Sequence, residues 1–187
     1  MNYINQKLPE FKVNAYQQGT TRTVTTADVL GKWSVFFFYP ADFSFVCPTE
    51  LGDLQAHYAE FQKANAEIYS VSEDTEFVHK AWADATPTIG KVEYPMLADP
   101  AGKLARFFDV LDETAGQAYR GVFIVNPAGE IKSYTINDMG IGRNANEVLR
   151  TLMAAQFVAV HGDMVCPANW HPGETPITPS LDLVGKI

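Results

Sequence analysis

WSVFFFYPADFSFVCPTELGDLQAHYAEFQKA, residues 33–64, decides the architecture of the chain. Its beginning, residues 33–40, is a continuous apolar run, which is typical of a strand buried on both faces. A short loop follows, and Pro48 suits the first turn of a helix. The apolar residues of that helix recur at helical spacing on one face: Leu51, Leu54, Tyr58 and Phe61. The stretch predicts a buried strand that leads through a short loop into an amphipathic helix.

Strands and helices alternate along the rest of the chain. Four more strands are predicted, at 66–72, 94–100, 121–125 and 130–136. Three more helices are predicted, from Ser72 or Asp74 to residue 84, within 102–110, and over 144–160. Strands that alternate with helices pair in parallel, and the terminal hairpin adds an antiparallel edge. The order indicates an α/β protein with a thioredoxin-like fold.

The two ends of the chain extend this plan. Residues 1–32 precede the first buried strand, and we expect them to form an accessory hairpin. Residues 161–187 are rich in Pro and Gly and have neither helical nor strand periodicity, which predicts an irregular tail. We therefore expect a thioredoxin-like domain over residues 1–160, followed by a tail that contains the second cysteine.

Two expectations concern side chains on the predicted helices. On the helix that ends at residue 84, helical spacing predicts that Phe77, Ala81 and Trp82 point inward. We expect His57 and His79 to lie on helix faces without a catalytic role.

Composition excludes several classes of function. The 187 residues include 22 acidic and 14 basic side chains, and the net charge of −8 opposes binding to nucleic acid or anionic lipid. The N-terminal MNYINQKLPEFK lacks the apolar stretch of a secretory signal, and the longest apolar run is too short to span a bilayer. No C-x-x-C occurs, and the histidines lack the spacing of zinc ligands. We expect a soluble, cytoplasmic protein that needs no metal or other cofactor.

The chain contains only two cysteines, Cys47 and Cys166, each within a V-C-P tripeptide. In a reducing compartment such a pair more often indicates catalysis or redox sensing than a structural disulfide. Cys47 lies where a buried strand meets a helix N-terminus, whose unpaired N–H groups and partial positive charge favour a nucleophilic thiolate. A buried cysteine is often only a small apolar side chain, but this junction makes the nucleophile the better interpretation.

Ser44 indicates what the thiolate attacks. A thioredoxin-type oxidoreductase has a C-x-x-C motif at this junction, whereas here the residue three positions before Cys47 is Ser44. Because a hydroxyl cannot form a disulfide, exchange within this loop is excluded. A hydroxyl can instead donate a hydrogen bond to a sulfur anion and accept one from a substrate O–H, which suits an electrophile that contains oxygen.

The segment FFFYPADFSFVCPTELGD resembles the active-site segment of the peroxiredoxins, with Pro40, Ser44 and Cys47 at the positions of the family motif. Further segments resemble the typical two-cysteine class and its bacterial alkyl hydroperoxide reductase branch: FVHKAW (77–82), GIGR (140–143), VCPANW (165–170) and the ending SLDLVGKI. The resemblance implies an antioxidant peroxidase that reduces hydrogen peroxide and organic hydroperoxides.

The resemblance also implies a role for each site residue. Cys47 would be the peroxidatic cysteine that becomes a sulfenic acid, and Arg120 would stabilise its thiolate and hold the peroxide oxygens. Pro40 would shield the site from water, and Ser44 would align sulfur and peroxide. Most relatives have threonine at that position, so we expect retained activity in a slightly looser site. Glu50 and Arg143 would form an ion pair that orients the catalytic arginine.

Cys166 would be the resolving cysteine. The residues alone leave open whether its disulfide with Cys47 is intrachain or intersubunit, and the resemblance implies the intersubunit form, in a homodimer or a decamer of five dimers. We expect local unfolding before the two sulfurs meet. The implied reductant is a flavin-dependent, NADH-linked disulfide reductase or a thioredoxin-like protein. A disulfide oxidoreductase and a redox-switched holdase are the alternative functions.

Overall fold

The computed structural model of the protein describes residues 2–186, and the chain forms two compact units, Met1–Ala145 and Asn146–Ile187. The first unit contains a seven-stranded sheet in the order β2-β1-β5-β4-β3-β8-β9, and β6 pairs with β7 in a separate ribbon. The strands are β1 Lys12–Gln17, β2 Thr20–Thr25, β3 Trp33–Phe38, β4 Ala66–Ser72, β5 Met96–Ala98, β6 Leu111–Asp112, β7 Gln117–Ala118, β8 Arg120–Val125 and β9 Ile131–Asn137.

The sheet confirms the predicted thioredoxin-like α/β plan. β3, β4 and β5 are parallel neighbours, and the hairpin of β8 and β9 adds an antiparallel edge on β3. The N-terminal hairpin, β1 and β2, does not remain separate, because β1 pairs antiparallel with β5 and extends the central sheet. Every residue of β3 is buried, as its uninterrupted apolar sequence predicts.

Six α-helices are described: α1 Thr26–Val29, α2 Cys47–Ala56, α3 Tyr58–Lys63, α4 Glu76–Ala85, α5 Lys103–Phe107 and α6 Ala145–Val160. The helix expected after Pro48 is interrupted at His57, so that it forms α2 and α3. A ring nitrogen of His57 lies 2.9 Å from the Asp53 carbonyl oxygen, which also accepts the His57 backbone N–H. None of the helices within residues 2–186 is long and apolar enough to cross a membrane.

Helix α4 differs from the prediction in which face is buried. Phe77 and Ala81, both expected to point inward, are exposed, Phe77 to 71%, whereas Trp82 is buried as predicted and His79 is buried as well. The inward face of α4 follows the spacing His79, Trp82, Ala83. Phe77 lies two residues before His79, which is about 200° around a helix, so it points to the opposite side.

Candidate active site

Cys47 is the first residue of α2, at the end of the loop that follows β3. The Val46 carbonyl accepts hydrogen bonds from the backbone N–H groups of Thr49 and Glu50 at 3.0 and 3.2 Å and so closes the first turn of the helix. The side chain of Cys47 is fully buried. The sulfur therefore lies in the first turn of a helix, where free N–H groups and the helix dipole favour a negative charge.

Arg120 is the first residue of β8, which pairs antiparallel with β3. Because Phe37 pairs with Val122, position 120 lies beside the end of β3, where the loop toward Cys47 begins. Nη1 of Arg120 donates a hydrogen bond to Cys47 Sγ at 3.4 Å, and Nε donates to the Met139 carbonyl at 2.6 Å. The bond to the Met139 carbonyl thus holds the guanidinium in the position from which Nη1 reaches the sulfur.

Glu50 lies one turn after Cys47 and binds two arginines. Its Oε2 accepts from Arg120 Nη1 at 2.7 Å, and its Oε1 accepts from Arg143 Nε at 2.9 Å and from the Arg143 backbone N–H at 2.8 Å. Arg143 also donates to the Gly121 carbonyl at 2.7 Å, and its guanidinium lies 3.4 Å from the centre of the Phe37 ring. Burial lowers the pKa of Arg143, and its pairing with Glu50 opposes this effect.

The charges of this cluster balance only when Cys47 is ionised. Arg120 and Arg143 contribute two positive charges, Glu50 contributes one negative charge, and all three side chains are almost completely buried. A neutral thiol would leave one buried positive charge uncompensated, which is costly in an environment of low polarity. A thiolate at Cys47 makes the cluster neutral, so the arrangement favours the nucleophilic form of the sulfur.

The other two predicted site residues lie in the loop between β3 and α2. Pro40 is buried, and Ser44 is half-buried. The Ser44 hydroxyl donates its proton to the Ala41 carbonyl at 2.7 Å. Because a hydroxyl has one proton, this bond leaves Ser44 able to accept a hydrogen bond at the oxygen but not to donate one to Cys47 Sγ.

A buried polar network supports the same loop and was not predicted from the sequence. Asp42 Oδ2 lies 2.7 Å from Nδ1 of His79, Tyr39 donates to Asp42 Oδ1 at 2.8 Å, and the other ring nitrogen of His79 lies 3.2 Å from the Leu97 carbonyl oxygen. Burial raises the pKa of Asp42, and its contact with His79 opposes this. The spacing of His79 with Trp82 on α4 is the sequence signal for its burial. Its partner Asp42 is distant in sequence and gives no local signal.

Cys166 belongs to the second unit and has different surroundings. It is half-buried, and its Sγ lies 3.8 Å from the Ala154 carbonyl oxygen on α6. Val165, the preceding residue, forms an antiparallel bridge with Ile177. Burial raises the pKa of the Cys166 thiol, and the positive charge of Arg150 partly opposes that effect.

The His, Cys, Asp and Glu side chains of residues 2–186 form no group of three or more that could hold a metal ion. The predicted residues Cys47, Glu50, Arg120 and Arg143 come together in the first unit, with Pro40 and Ser44 in the adjoining loop.

Comparison with known proteins identifies related families and structures. Residues 4–134 match the AhpC/TSA family, and residues 154–186 match the C-terminal domain of 1-Cys peroxiredoxin. The chain is 52% identical to alkyl hydroperoxide reductase C of Salmonella typhimurium and 50% identical to that of Bacillus subtilis, each over 187 residues and the full length of both chains.

Solved structures agree with this result. The crystal structure of Enterococcus faecalis AhpC is 70% identical, with a TM-score of 0.88 over 89% of this chain and 100% of that one. The reduced 2-Cys peroxiredoxin of Plasmodium vivax is 29% identical, with a TM-score of 0.91 over 97% of this chain and 96% of that one.

Proposed function

Because the chain belongs to the AhpC/TSA family and is a thiol-dependent peroxidase, we propose that Cys47 is the residue that attacks the hydroperoxide. The observation that carries this assignment is the 3.4 Å contact between Cys47 Sγ and Arg120 Nη1 inside a buried cluster that is neutral only with a thiolate. Cys166, by contrast, is half-buried and has a raised pKa, which suits a thiol that reacts later.

In the first step the Cys47 thiolate attacks the terminal oxygen of the peroxide. An S–O bond forms, the O–O bond breaks, and the leaving oxygen takes a proton and departs as water or an alcohol. The sulfur is oxidised to a sulfenic acid, and the peroxide is reduced. In this proposal Arg120 holds the peroxide oxygens as well as the sulfur, while Glu50 and Arg143 fix its orientation.

Pro40 and Ser44 complete the proposed site. Pro40 is buried beside the loop and would limit access of bulk water to the sulfur. Ser44, whose proton is bound to the Ala41 carbonyl, would align the substrate by accepting a hydrogen bond from the peroxide O–H.

In the second step the Cys166 thiolate would attack the Cys47 sulfenic acid. An S–S bond forms, the S–O bond breaks, and the leaving hydroxide takes a proton to become water. A disulfide intermediate is typical of the family, and we assign it to Cys47 of one subunit and Cys166 of its neighbour. Because Cys47 is fully buried, the first turn of α2 would have to open before the sulfurs could bond.

The remaining proposals concern assembly, reductant and compartment. We assign a homodimer and a decamer of five dimers, which is supported by apolar side chains that this chain exposes in and near the active-site loop, such as Phe45 at 93%. The oxidised pair would be reduced by exchange with a flavin-dependent, NADH-linked disulfide reductase or a thioredoxin-like protein. The proposed compartment is the cytoplasm, where such reductants keep thiols reduced.

A non-reducing gel after treatment with hydrogen peroxide tests the assignment of the two cysteines. We expect a disulfide-linked dimer for the wild-type protein and none for Cys47→Ser or Cys166→Ser. Of the two variants, only Cys166→Ser should consume one equivalent of peroxide in a single turnover, because it keeps the attacking sulfur of Cys47. Peroxide consumption by Cys47→Ser at the wild-type rate would overturn the assignment, and a wild-type protein that loses both thiols yet stays monomeric would indicate an intrachain bond.

A further inference from the structure

One charged side chain near Cys166 has no role in the peroxidase site described above. Arg150 lies on α6, and its guanidinium is fixed by Glu147 one turn earlier, with Nη2 2.7 Å from Glu147 Oε1 and Nε 3.1 Å from both carboxylate oxygens. Such a two-pronged pair orients an arginine as well as neutralising part of its charge. The remaining nitrogen, Nη1, is therefore aimed in a defined direction.

That nitrogen contacts the segment that contains Cys166. Nη1 of Arg150 donates to the Trp170 carbonyl at 3.4 Å. Trp170 is buried, its ring centre lies 4.8 Å from that of Phe157 on α6, and its Nε1 donates to the Glu174 carbonyl at 3.1 Å. The chain after Cys166 is thus folded back onto α6 and held there by one ring contact and by the guanidinium of Arg150.

Cys166 lies on the same face of the helix. Its Sγ is 3.8 Å from the Ala154 carbonyl, one turn after Arg150. Positions 147, 150 and 154 are separated by three and four residues, which places Glu147, Arg150 and Ala154 along one stripe of α6. The guanidinium is therefore a positive charge on the helix face that the Cys166 segment covers, and this charge acts on the Cys166 thiol.

We propose that Arg150 is a positioning residue for the resolving step, which holds the segment 165–170 on α6 and stabilises Cys166 as the attacking thiolate. This inference rests on the proposed function, in which Cys166 attacks the sulfenic acid of Cys47. In that attack the Cys166 sulfur forms the S–S bond and is oxidised, the Cys47 sulfur is reduced, and the S–O bond breaks to release hydroxide, which takes up a proton.

The need for a cation follows from the chemistry of the thiol. Only the thiolate attacks, and burial raises the pKa of Cys166 above its usual value. Arg150 is the charge that opposes this rise, and the carboxylate of Glu147 keeps its guanidinium in place. The other titratable groups of the surrounding segments are His161, Asp163, His171 and Glu174, and among the described residues the charge that acts on the pKa of Cys166 is that of Arg150.

The first experiment measures Cys166 without any peroxide chemistry. In a Cys47→Ser background Cys166 is the only thiol, and its rate of alkylation by iodoacetamide can be followed from pH 6 to 10. We expect Arg150→Gln to slow alkylation at pH 7 by about threefold to tenfold and to move the pH profile toward higher pH. Arg150→Lys should restore much of the rate, because it keeps the charge.

The matched control is Arg106→Gln. Arg106 belongs to the first unit and, like Arg150, pairs two nitrogens with a glutamate and donates to a backbone carbonyl. Its loss should leave the alkylation profile of Cys166 unchanged. Circular dichroism and thermal unfolding of each variant separate a local effect from loss of the fold.

The second experiment uses the protein with both cysteines. After a pulse of hydrogen peroxide, quenched samples are analysed by mass for sulfenic acid, disulfide and sulfinic acid. Arg150→Gln should form the sulfenic acid at the wild-type rate, close the disulfide about threefold to tenfold more slowly, and accumulate more sulfinic acid at Cys47.

Three results would overturn the inference: an unchanged disulfide rate in Arg150→Gln, an unchanged alkylation profile, or slowed disulfide closure that Arg150→Lys does not rescue at all. A wild-type protein that forms no disulfide would instead contradict the proposed function, and the alkylation experiment would still report on Arg150.

Discussion

The two cysteines of this chain occupy regions that differ in almost every physical respect. Cys47 is fully buried, Nη1 of Arg120 donates a hydrogen bond to its sulfur, and Glu50, itself paired with Arg143, holds that arginine in place. Cys166 is half-buried and contacts a backbone carbonyl, and the charge that acts on its pKa is that of the partly exposed Arg150. One region is a closed electrostatic cluster, and the other is an open segment on a helix surface.

The difference matches the two reactions proposed for these sulfurs. A peroxide is small and diffuses to its target, so the first sulfur can be activated within a rigid, preorganised site. A sulfenic acid is attached to the protein, so the second sulfur must reach it by movement of the chain. Strong packing around Cys166 would oppose that movement, whereas one arginine can orient the thiol and still release it.

The largest expected effect tests the closed cluster through its carboxylate. Glu50→Gln should lower the free energy of unfolding by about 3–5 kcal/mol, because it leaves two buried guanidinium groups without their shared counter-charge. Glu147→Gln is the matched control in the open region, since its carboxylate is 64% exposed and pairs with Arg150, and it should cost about 0–1 kcal/mol. Urea unfolding curves of the reduced proteins, recorded at one protein concentration, measure both losses of stability.

Equal costs for these two variants would contradict the comparison. They would mean that the Cys47 cluster is screened by solvent to the same degree as a surface ion pair. The peroxidase rate of Glu50→Gln gives a second measurement, and we expect it to fall because Arg120 loses the partner that fixes its direction.

The sequence allowed most of the fold around Cys47 to be predicted, because periodicity carries the information. The apolar run of β3 and the helical spacing of Leu51 and Leu54 are local signals. On α4 the sequence predicts an inward face of Phe77, Ala81 and Trp82, because large apolar side chains dominate such an argument, and of the three only Trp82 is buried. The structure buries His79 instead, since Asp42 and the Leu97 carbonyl satisfy its ring nitrogens.

The site itself could be predicted only in its residue types. A strand-to-helix junction explains why Cys47 is a candidate nucleophile, and the resemblance to the peroxiredoxins implies the roles of Arg120, Glu50 and Arg143. Nothing local in the sequence indicates that Glu50 bridges both arginines, because the three residues come from distant positions that meet only in the folded sheet. The hydrogen bond from Ser44 to the Ala41 carbonyl was missed for a related reason, since it depends on the loop conformation.

The second prediction, of smaller expected size, concerns Glu73, a largely buried carboxylate that binds a backbone N–H group and no arginine side chain within residues 2–186. Glu73 follows β4, and its Oε2 accepts the Ala118 backbone N–H at 2.8 Å, while its buried Oε1 has no hydrogen-bond partner within residues 2–186. Burial raises the pKa of Glu73 from 4.5 to about 7, and the nearby carboxylates of Asp99 and Asp74 add to this. Glu73 is thus a counterpart of Glu50 that has no arginine bonded to its carboxylate within residues 2–186, although Arg106 interacts with it through its charge.

The raised pKa fixes the sign of the pH dependence. Glu73 binds its proton more tightly in the folded protein than in the unfolded chain. The contribution of Glu73 to the free energy of unfolding therefore falls as pH rises from about 4.5 to 7, and it stays low above pH 7. Glu73→Gln removes the penalty and keeps an oxygen for the Ala118 N–H. We expect it to exceed the wild-type stability by about 1–2 kcal/mol at pH 8, after allowance for partial solvent screening, and by much less at pH 5.

Urea unfolding at several pH values measures this difference. Glu113→Gln is the control, because Arg106 lowers the pKa of Glu113 and its removal should bring no gain at high pH. A gain in Glu73→Gln that is the same at pH 5 and pH 8 would show that packing, not ionisation, is responsible, and would remove the contrast with Glu50.

The smallest expected effect concerns Ser44, where the closed region meets the exposed loop. Ser44→Thr keeps the hydroxyl that donates to the Ala41 carbonyl and adds a methyl group at a half-buried position, so the peroxidase rate should stay within about twofold, or ~0.4 kcal/mol. Ser44→Ala removes the hydroxyl and should lower the rate by about tenfold, measured as initial peroxide consumption with excess reductant. A large fall in Ser44→Thr would mean that the loop has no room for the methyl group and is as rigid as the cluster behind it. An unaffected Ser44→Ala would mean that the hydroxyl only ties the loop to Ala41, and that Arg120 alone aligns the peroxide with Cys47.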